Sequence, residues 1–252
     1  MRDCLVVIPA RYASTRFPGK VLARLGGRPV VEWCYGAATK ARVGPVVVAT
    51  EDRRVARVVE SFGGRVVLTS PNCPSGTDRV HEAARGFTSR FVINLQGDLP
   101  LICPRTIRRV AELLRRGGAR IATAVVPLRD RRRAADPNVV KAALCGALAR
   151  RGGCRVLYFS RSPIPYSKNG GSPRFEHLGI YGFERAALER FVRLAPSPLE
   201  RAEGLEQLRA LEAGLAIHAA VVEDLPAAID TPADLRRARR LLKRLNREKR
   251  PL

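Results

Sequence analysis

An α/β architecture, a mostly parallel sheet with flanking helices, is the fold class this sequence predicts, and three features predict it. Short apolar runs without polar alternation, such as Leu5–Ile8, Val46–Ala49 and 91–95, read as strands buried on both faces. Between them lie segments whose apolar residues recur at helical spacing. Glycine and proline punctuate the joints, as at Gly44-Pro45 and Gly63-Gly64.

In chain order, Leu5–Ile8 is the first strand and leads into a loop that carries Arg11, Arg16 and Lys20. A helix is expected over 29–41, with Pro29 near its start and Val30, Trp33, Cys34 and Ala37 on its apolar face. Strand 46–49 precedes a helix over 52–62, where Val55, Val58, Val59 and Phe62 keep core spacing. Strand 65–68, a Pro-rich loop, helix 77–85 and strand 91–95 continue the alternation, which predicts parallel βαβ units with right-handed crossovers. Pro104 with Ile107, Val110, Ala111 and Leu114 marks another helix, followed by strand 121–126. Arg129–Asp136 reads as a loop or short helical turn. Strands are expected at 139–144 and 156–159 around a Gly-rich turn, then an irregular stretch over 162–174 and a strand at 177–181. One helix is expected over 198–213, because Ser197, Pro198 and Glu200 form a capping box and Leu205, Leu208 and Leu211 a stripe. Strand 216–222 precedes Asp230, and Thr231-Pro232 opens a last helix lined by Leu235, Ala238, Leu242 and Leu245 that frays beyond about 246. The 252 residues, 46% hydrophobic, suit a single domain over 1–252 with an excursion around 130–185 for acceptor binding or dimerisation.

Composition narrows the function. The six cysteines are dispersed, with no C-x-x-C pair, and only three histidines are present, so neither a disulfide scaffold nor a zinc site is expected. The first apolar run is too short for a signal peptide and no stretch suits a membrane span, so a cytoplasmic protein without membrane attachment is expected. The net charge of +23 sits mostly as arginine on polar helix faces, including Arg236 to Arg250. With no nucleic-acid-binding signature, it reads as a solvated basic surface rather than a specific nucleic-acid site.

Three constellations carry chemistry. Arg11, Arg16 and Lys20 follow the first strand, where cationic side chains and loop N–H groups suit phosphate oxygens. The glycine spacing excludes a Walker A loop and a dinucleotide fingerprint. Asp98 ends a strand and Asp230 precedes a helix. Two such carboxylates suit Mg²⁺, and a turn or cap role is as good a reading of each from spacing alone. PSGTDR at 74–79 offers Ser75 and Thr77 as hydrogen-bonding groups and Arg79 as an anion partner, or simply a helix cap. His177 could contact substrate or be a satisfied strand-end histidine.

Together, VVIPARYASTRFPGK (6–20), PSGTDR (74–79), NLQGD (94–98), YFSR (158–161), HLGIY (177–181), PSPLE (196–200), LEQLR (205–209) and IDTPADL (229–235) resemble the 3-deoxy-manno-octulosonate (KDO) cytidylyltransferase family over nearly the whole chain. The resemblance implies a Rossmann-like fold of the nucleotide-diphospho-sugar transferase type, a homodimer, CTP and Mg²⁺, an acidic sugar acceptor and release of pyrophosphate. It implies Lys20, Arg11 and Asp98 as catalytic residues and Asp98 and Asp230 as metal ligands. Nucleotide contacts fall on Pro9, Ala10, Arg11, Ser14, Thr15, Arg16, Lys20, Pro74, Ser75, Gly76 and Asp98. Acceptor contacts fall on Arg79, Gln96, His177, Glu203, Glu206 and Gln207. The chain departs from the family pattern at Leu99, where an acidic residue is usual, at Glu176, where a basic one is usual, in a short segment between YFSR and HLGIY, and at Pro226-Ala227-Ala228. These departures leave open a small phosphonate or carboxylate acid as acceptor, and the charge leaves open a non-catalytic polyanion binder on the same fold.

Overall fold

The computed structural model describes residues 3–116, 119–145, 153–168, 172–224 and 226–248. The Gly-rich turn expected between 145 and 153, part of the irregular 162–174 stretch, and Arg250 at the fraying end are wholly or partly outside the described residues.

The strands are β1 (Cys4–Pro9), β2 (Arg24–Leu25), β3 (Arg28–Pro29), β4 (Val46–Thr50), β5 (Val66–Leu68), β6 (Phe91–Leu95), β7 (Ile121–Pro127), β8 (Lys141–Cys145), β9 (Cys154–Ser160), β10 (Phe175–Glu184) and β11 (Ile217–Val221). The helices are α1 (Val30–Ala41), α2 (Arg53–Ser61), α3 (Gly76–Ala84), α4 (Pro104–Arg115), α5 (Arg131–Ala135), α6 (Arg185–Val192), α7 (Pro198–Glu203), α8 (Leu208–Glu212) and α9 (Pro232–Glu248).

The chain packs as two compact units. The first holds residues 1–89, 94–105 and 226–252, and the second holds 90–93 and 106–225. In the first unit, β1 pairs in parallel with β4, Val6 opposite Val46, and β4 in parallel with β5. Every residue of β1 and β4 is buried, which is why these strands read as unbroken apolar runs. Helices α1, α2 and α3 pack on β4, and α1 and α3 also pack on β1. The short β2–β3 pair and α9 close a local core of Leu25, Val30, Ile229, Leu235, Ala238 and Leu242, flanked by Phe17 and Trp33. Capping places the helix starts. Asp52 accepts from Arg54 N, so α2 begins at Arg53, and Ser75 accepts from Thr77 N and Asp78 N.

The second unit adds antiparallel strands to the parallel set. β11 pairs in parallel with β7. β10 runs antiparallel to β7 and to β8, and β9 runs antiparallel to β8 and β11. Hairpin-like neighbours need no crossover helix, and among the described residues between 136 and 184 no helix occurs. The strand expected at 177–181 extends over all of β10, with a register shift between Leu178 and Tyr181. The Arg129–Asp136 stretch forms α5, capped by Asp130.

Two helical expectations need correction. The helix over 198–213 is two helices, because Gly204 takes a left-handed conformation (φ 61°) and ends α7. The capping box at Ser197 and Glu200 is present, so the start was legible and the interruption was not. Helix α6 was missed, although Ala187, Leu188 and Phe191 are its buried face. All six cysteines are free. Among the described residues, no helix is long and apolar enough to cross a membrane.

Candidate active site

The loop after β1 is built to present cations. Ala10 N donates to Ala49 O (2.9 Å), which holds the strand end beside β4. Gly19 adopts φ 70°, donates to Tyr12 O (2.8 Å) and turns the chain into a short 3₁₀ turn that begins at Lys20. A side chain at Gly19 would also meet the Tyr12 ring, so the turn that delivers Lys20 needs glycine. The Arg54 guanidinium lies over that ring, 3.5 Å from its centroid.

Lys20 extends to two carboxylates from distant parts of the chain. Its Nζ donates to Asp98 Oδ2 (2.6 Å) and to Asp230 Oδ1 (2.9 Å). Arg16 Nη2 reaches the same Asp230 oxygen at 3.2 Å, with its side chain 60% exposed. Lys20 is 15% exposed, Asp98 22% and Asp230 39%. Burial works against the lysine's charge, but Asp98 and Asp230 more than offset it and hold the ammonium above the ordinary lysine range.

The two aspartates are placed by backbone. Gly97, two residues past β6, lies so close to the end of β1 that a Cβ there would stand 2.9 Å from Pro9 O. Ile229 N donates to Asp98 O (2.9 Å), which ties the approach of Asp230 to the residue it serves. Thr231 and Asp234 then cap each other: Thr231 N and Oγ1 donate to Asp234 Oδ2 (2.8 and 2.7 Å), and Asp234 N donates to Thr231 Oγ1 (3.2 Å). This reciprocal cap opens α9 and leaves the Asp230 carboxylate to the two cations.

The other expected nucleotide residues differ in burial and in hydrogen bonding. Arg11 Nη2 donates to Cys73 O (2.7 Å), which joins the cationic loop to the 74–79 segment. Pro9 and Ala10 are buried at the strand end, Ser14 is half-buried, and Thr15 and Pro74 are exposed. Ser75 is engaged in capping and donates to Asp78 Oδ2 (2.7 Å), with Gly76 as the first residue of α3. Gln96 Nε2 donates to Asn94 Oδ1 (3.0 Å), which fixes the orientation of its amide.

Arg79 differs from the expectation of an acceptor contact. It is 1% exposed, donates to Thr69 Oγ1 and lies 2.7 Å from Glu51 Oε2. That contact is an ion pair without hydrogen-bond alignment, since Glu51 Oε2 has no hydrogen-bond partner. The guanidinium ties α3 to residues following β4 and β5. Leu99 is also buried (4%), so the apolar residue in place of the usual acidic one is part of the core.

The second unit holds the remaining acceptor candidates. His177 is half-buried, between Phe159 (5.0 Å) and Tyr181 (5.2 Å). Thr123 Oγ1 donates to Ile180 O (2.7 Å) and so accepts from His177 Nε2 (3.0 Å), which leaves Nδ1 as the lone-pair nitrogen. Burial among these rings pushes the His177 pKa down to about 3, so the imidazole is neutral. Glu203 is committed to the YFSR segment: its carboxylate accepts from Ser160 Oγ (2.6 Å) and Arg161 N (2.8 Å). Burial, with help from the charge of Glu206, raises the Tyr181 hydroxyl well above its usual range. Gln207 is buried before α8. Glu176 forms an ion pair with Arg133 (2.6 Å), a pairing that sequence spacing does not reveal.

A divalent ion fits the Asp98–Asp230 pair by donor chemistry, since both are hard oxygen ligands and a cationic nitrogen already stands between them. Among the described residues, no group of three or more histidine, cysteine or acidic side chains could hold a metal, so phosphate and water oxygens would have to complete such a shell.

A family model described as cytidylyltransferase matches residues 5–218. The chain is 48% identical over 242 residues to the 3-deoxy-manno-octulosonate cytidylyltransferase of Bradyrhizobium sp. (strain ORS 278), covering 94% of this chain and 96% of that one. It is 47% identical over 244 residues to the corresponding protein of Parvibaculum lavamentivorans, covering 95% and 93%. The solved structure of CMP:2-keto-3-deoxy-manno-octonic acid synthetase complexed with CTP superposes with a TM-score of 0.89 at 36% identity, over 96% of this chain and 99% of that one.

Proposed function

The chain belongs to the 3-deoxy-manno-octulosonate cytidylyltransferase family, and from that premise we propose that it transfers CMP from CTP to KDO with release of pyrophosphate. The observation that carries the reading is the convergence of Lys20, Asp98 and Asp230, from three well-separated segments, beside the Arg11 and Arg16 loop.

In this reading the loop cations bind and orient the triphosphate. Arginine grips phosphate oxygens with paired donors, and Lys20 supplies a mobile point charge near the α-phosphate. The anomeric hydroxyl of the acceptor attacks the α-phosphorus and releases its proton to solvent, the bond from the α-phosphorus to the bridging α–β oxygen breaks, and pyrophosphate leaves. No covalent enzyme intermediate is required. Asp98 and Asp230 would hold Mg²⁺, which when bound neutralises phosphate charge. Gln96, His177, Glu206 and Gln207 are the acceptor-binding candidates. His177 acts there as a neutral hydrogen-bonding group. KDO is favoured over a phosphonate acid because the departures at Leu99 and Glu176 are a core side chain and a paired carboxylate. The proposal includes a cytoplasmic homodimer, which light scattering on the purified chain tests.

Incubation with CTP, KDO and Mg²⁺ should yield CMP-KDO and pyrophosphate. The reading fails if no pyrophosphate appears with KDO, or if a phosphonate acid is turned over much faster.

A further inference from the structure

Lys20 occupies a place that electrostatics would otherwise give to a metal. Its Nζ lies within 2.9 Å of both Asp98 and Asp230, and Arg16 adds a second positive charge 3.2 Å from Asp230. The two carboxylates and two cations cancel, so little attraction remains for a divalent ion. An ammonium and a divalent ion also repel each other at this range. Lysine differs from arginine here in having a compact head on four flexible bonds, which can swing away without breaking a bidentate pair.

We propose that Lys20 is the resident counter-cation of the Asp98–Asp230 pair and excludes a divalent ion from it until a triphosphate draws the ammonium off. One side chain then has two partners in turn: the aspartates first, the phosphates second. Metal affinity is thereby coupled to nucleotide binding, as a competition for one lysine. The coupling keeps a paired carboxylate site from trapping metal without substrate. It rests on the reading that Asp98 and Asp230 hold Mg²⁺.

The test is Mn²⁺ binding followed by electron paramagnetic resonance, which needs no turnover. Without nucleotide, wild type should bind Mn²⁺ at least tenfold more weakly than Lys20→Met. Lys20→Arg keeps a cation at the site and should stay as weak as wild type, and Asp230→Asn added to Lys20→Met should remove the gained site. Thermal melting confirms that each variant is folded. With CTP, wild type should form a ternary Mn²⁺ signal that Asp98→Asn and Asp230→Asn lose. Equal Mn²⁺ affinity of wild type and Lys20→Met without nucleotide, with that ternary signal intact, overturns the inference and leaves the metal reading standing. A ternary signal unchanged in both aspartate variants overturns the metal reading itself, and the inference with it.

Discussion

Single residues in this protein divide between those whose charge sits at a partly exposed site and those whose charge is buried in structure. Asp98 touches Lys20 but is partly exposed. Asp98→Asn should lower kcat about 10²-fold or more, in the range for loss of one electrostatic group at a reacting centre, with little change in melting temperature. Steady-state pyrophosphate release and a thermal melt check both halves of that expectation. Arg79 is the opposite case. Removing it leaves the mostly buried Glu51 carboxylate without the Arg79 charge, so Arg79→Met should destabilise the fold by about 3 kcal/mol in urea titration. Unchanged stability with a raised acceptor KM would instead assign the arginine to substrate. His177 adds a pH dependence. Its pKa is about 3 folded against about 6.5 for an ordinary histidine, so below pH 6.5 the unfolded chain takes up a proton the folded chain refuses. Stability should therefore fall as pH drops from 6.5 towards 3, by at most about 1.4 kcal/mol per pH unit. His177→Gln should flatten that part of the stability profile.

At the scale of elements, helix and strand ends place the chemistry. Gly97 allows the segment after β6 to pass close to the end of β1, and an alanine there must push on Pro9 O. Gly97→Ala should displace Asp98 and lower kcat about 10²-fold, while binding of CTP, read by calorimetry, weakens less. The joint between α7 and α8 offers a test of sign. In an unbroken helix over 198–213, Gly204→Ala would stabilise by up to about 1 kcal/mol. At φ 61° it should instead destabilise, by about 1 kcal/mol, which chemical denaturation resolves. Capping residues were readable from sequence because the cap is local: Ser197 with Glu200, and Thr231 with Asp234, are three residues apart. The break at Gly204 was not readable, because a glycine in a good periodic pattern costs a helix little and the backbone around it settles the matter.

For the whole molecule, the charge of +23 governs behaviour with polyanions. DNA should bind weakly at about 20 mM salt without sequence preference and release by about 200 mM, as a counterion-release process requires; a fluorescence anisotropy titration at two salt concentrations checks this. Along the chain, local signals identified most helices and the buried strands of the first unit, because burial on both faces writes itself as an apolar run. The motif segments marked the cationic loop, Asp98 and Asp230 as chemistry-bearing for the same reason: residue type and spacing are properties of the chain alone. Partnership is not. That Lys20 lies between Asp98 and Asp230 depends on residues 78 and 210 positions away. That Arg79 is buried against Glu51, Glu203 tied to Ser160, and Glu176 paired with Arg133 was likewise decided only by packing. The antiparallel course of β8, β9 and β10 belongs with these, since strand direction is chosen by which edges meet. The sequence by itself determined which side chains could carry charge to a phosphate. The tertiary structure decided which of them can still do so, because a charge buried against a fixed partner, as Arg79 is, stays in the fold, whereas Lys20, Asp98 and Asp230 meet at a partly exposed site.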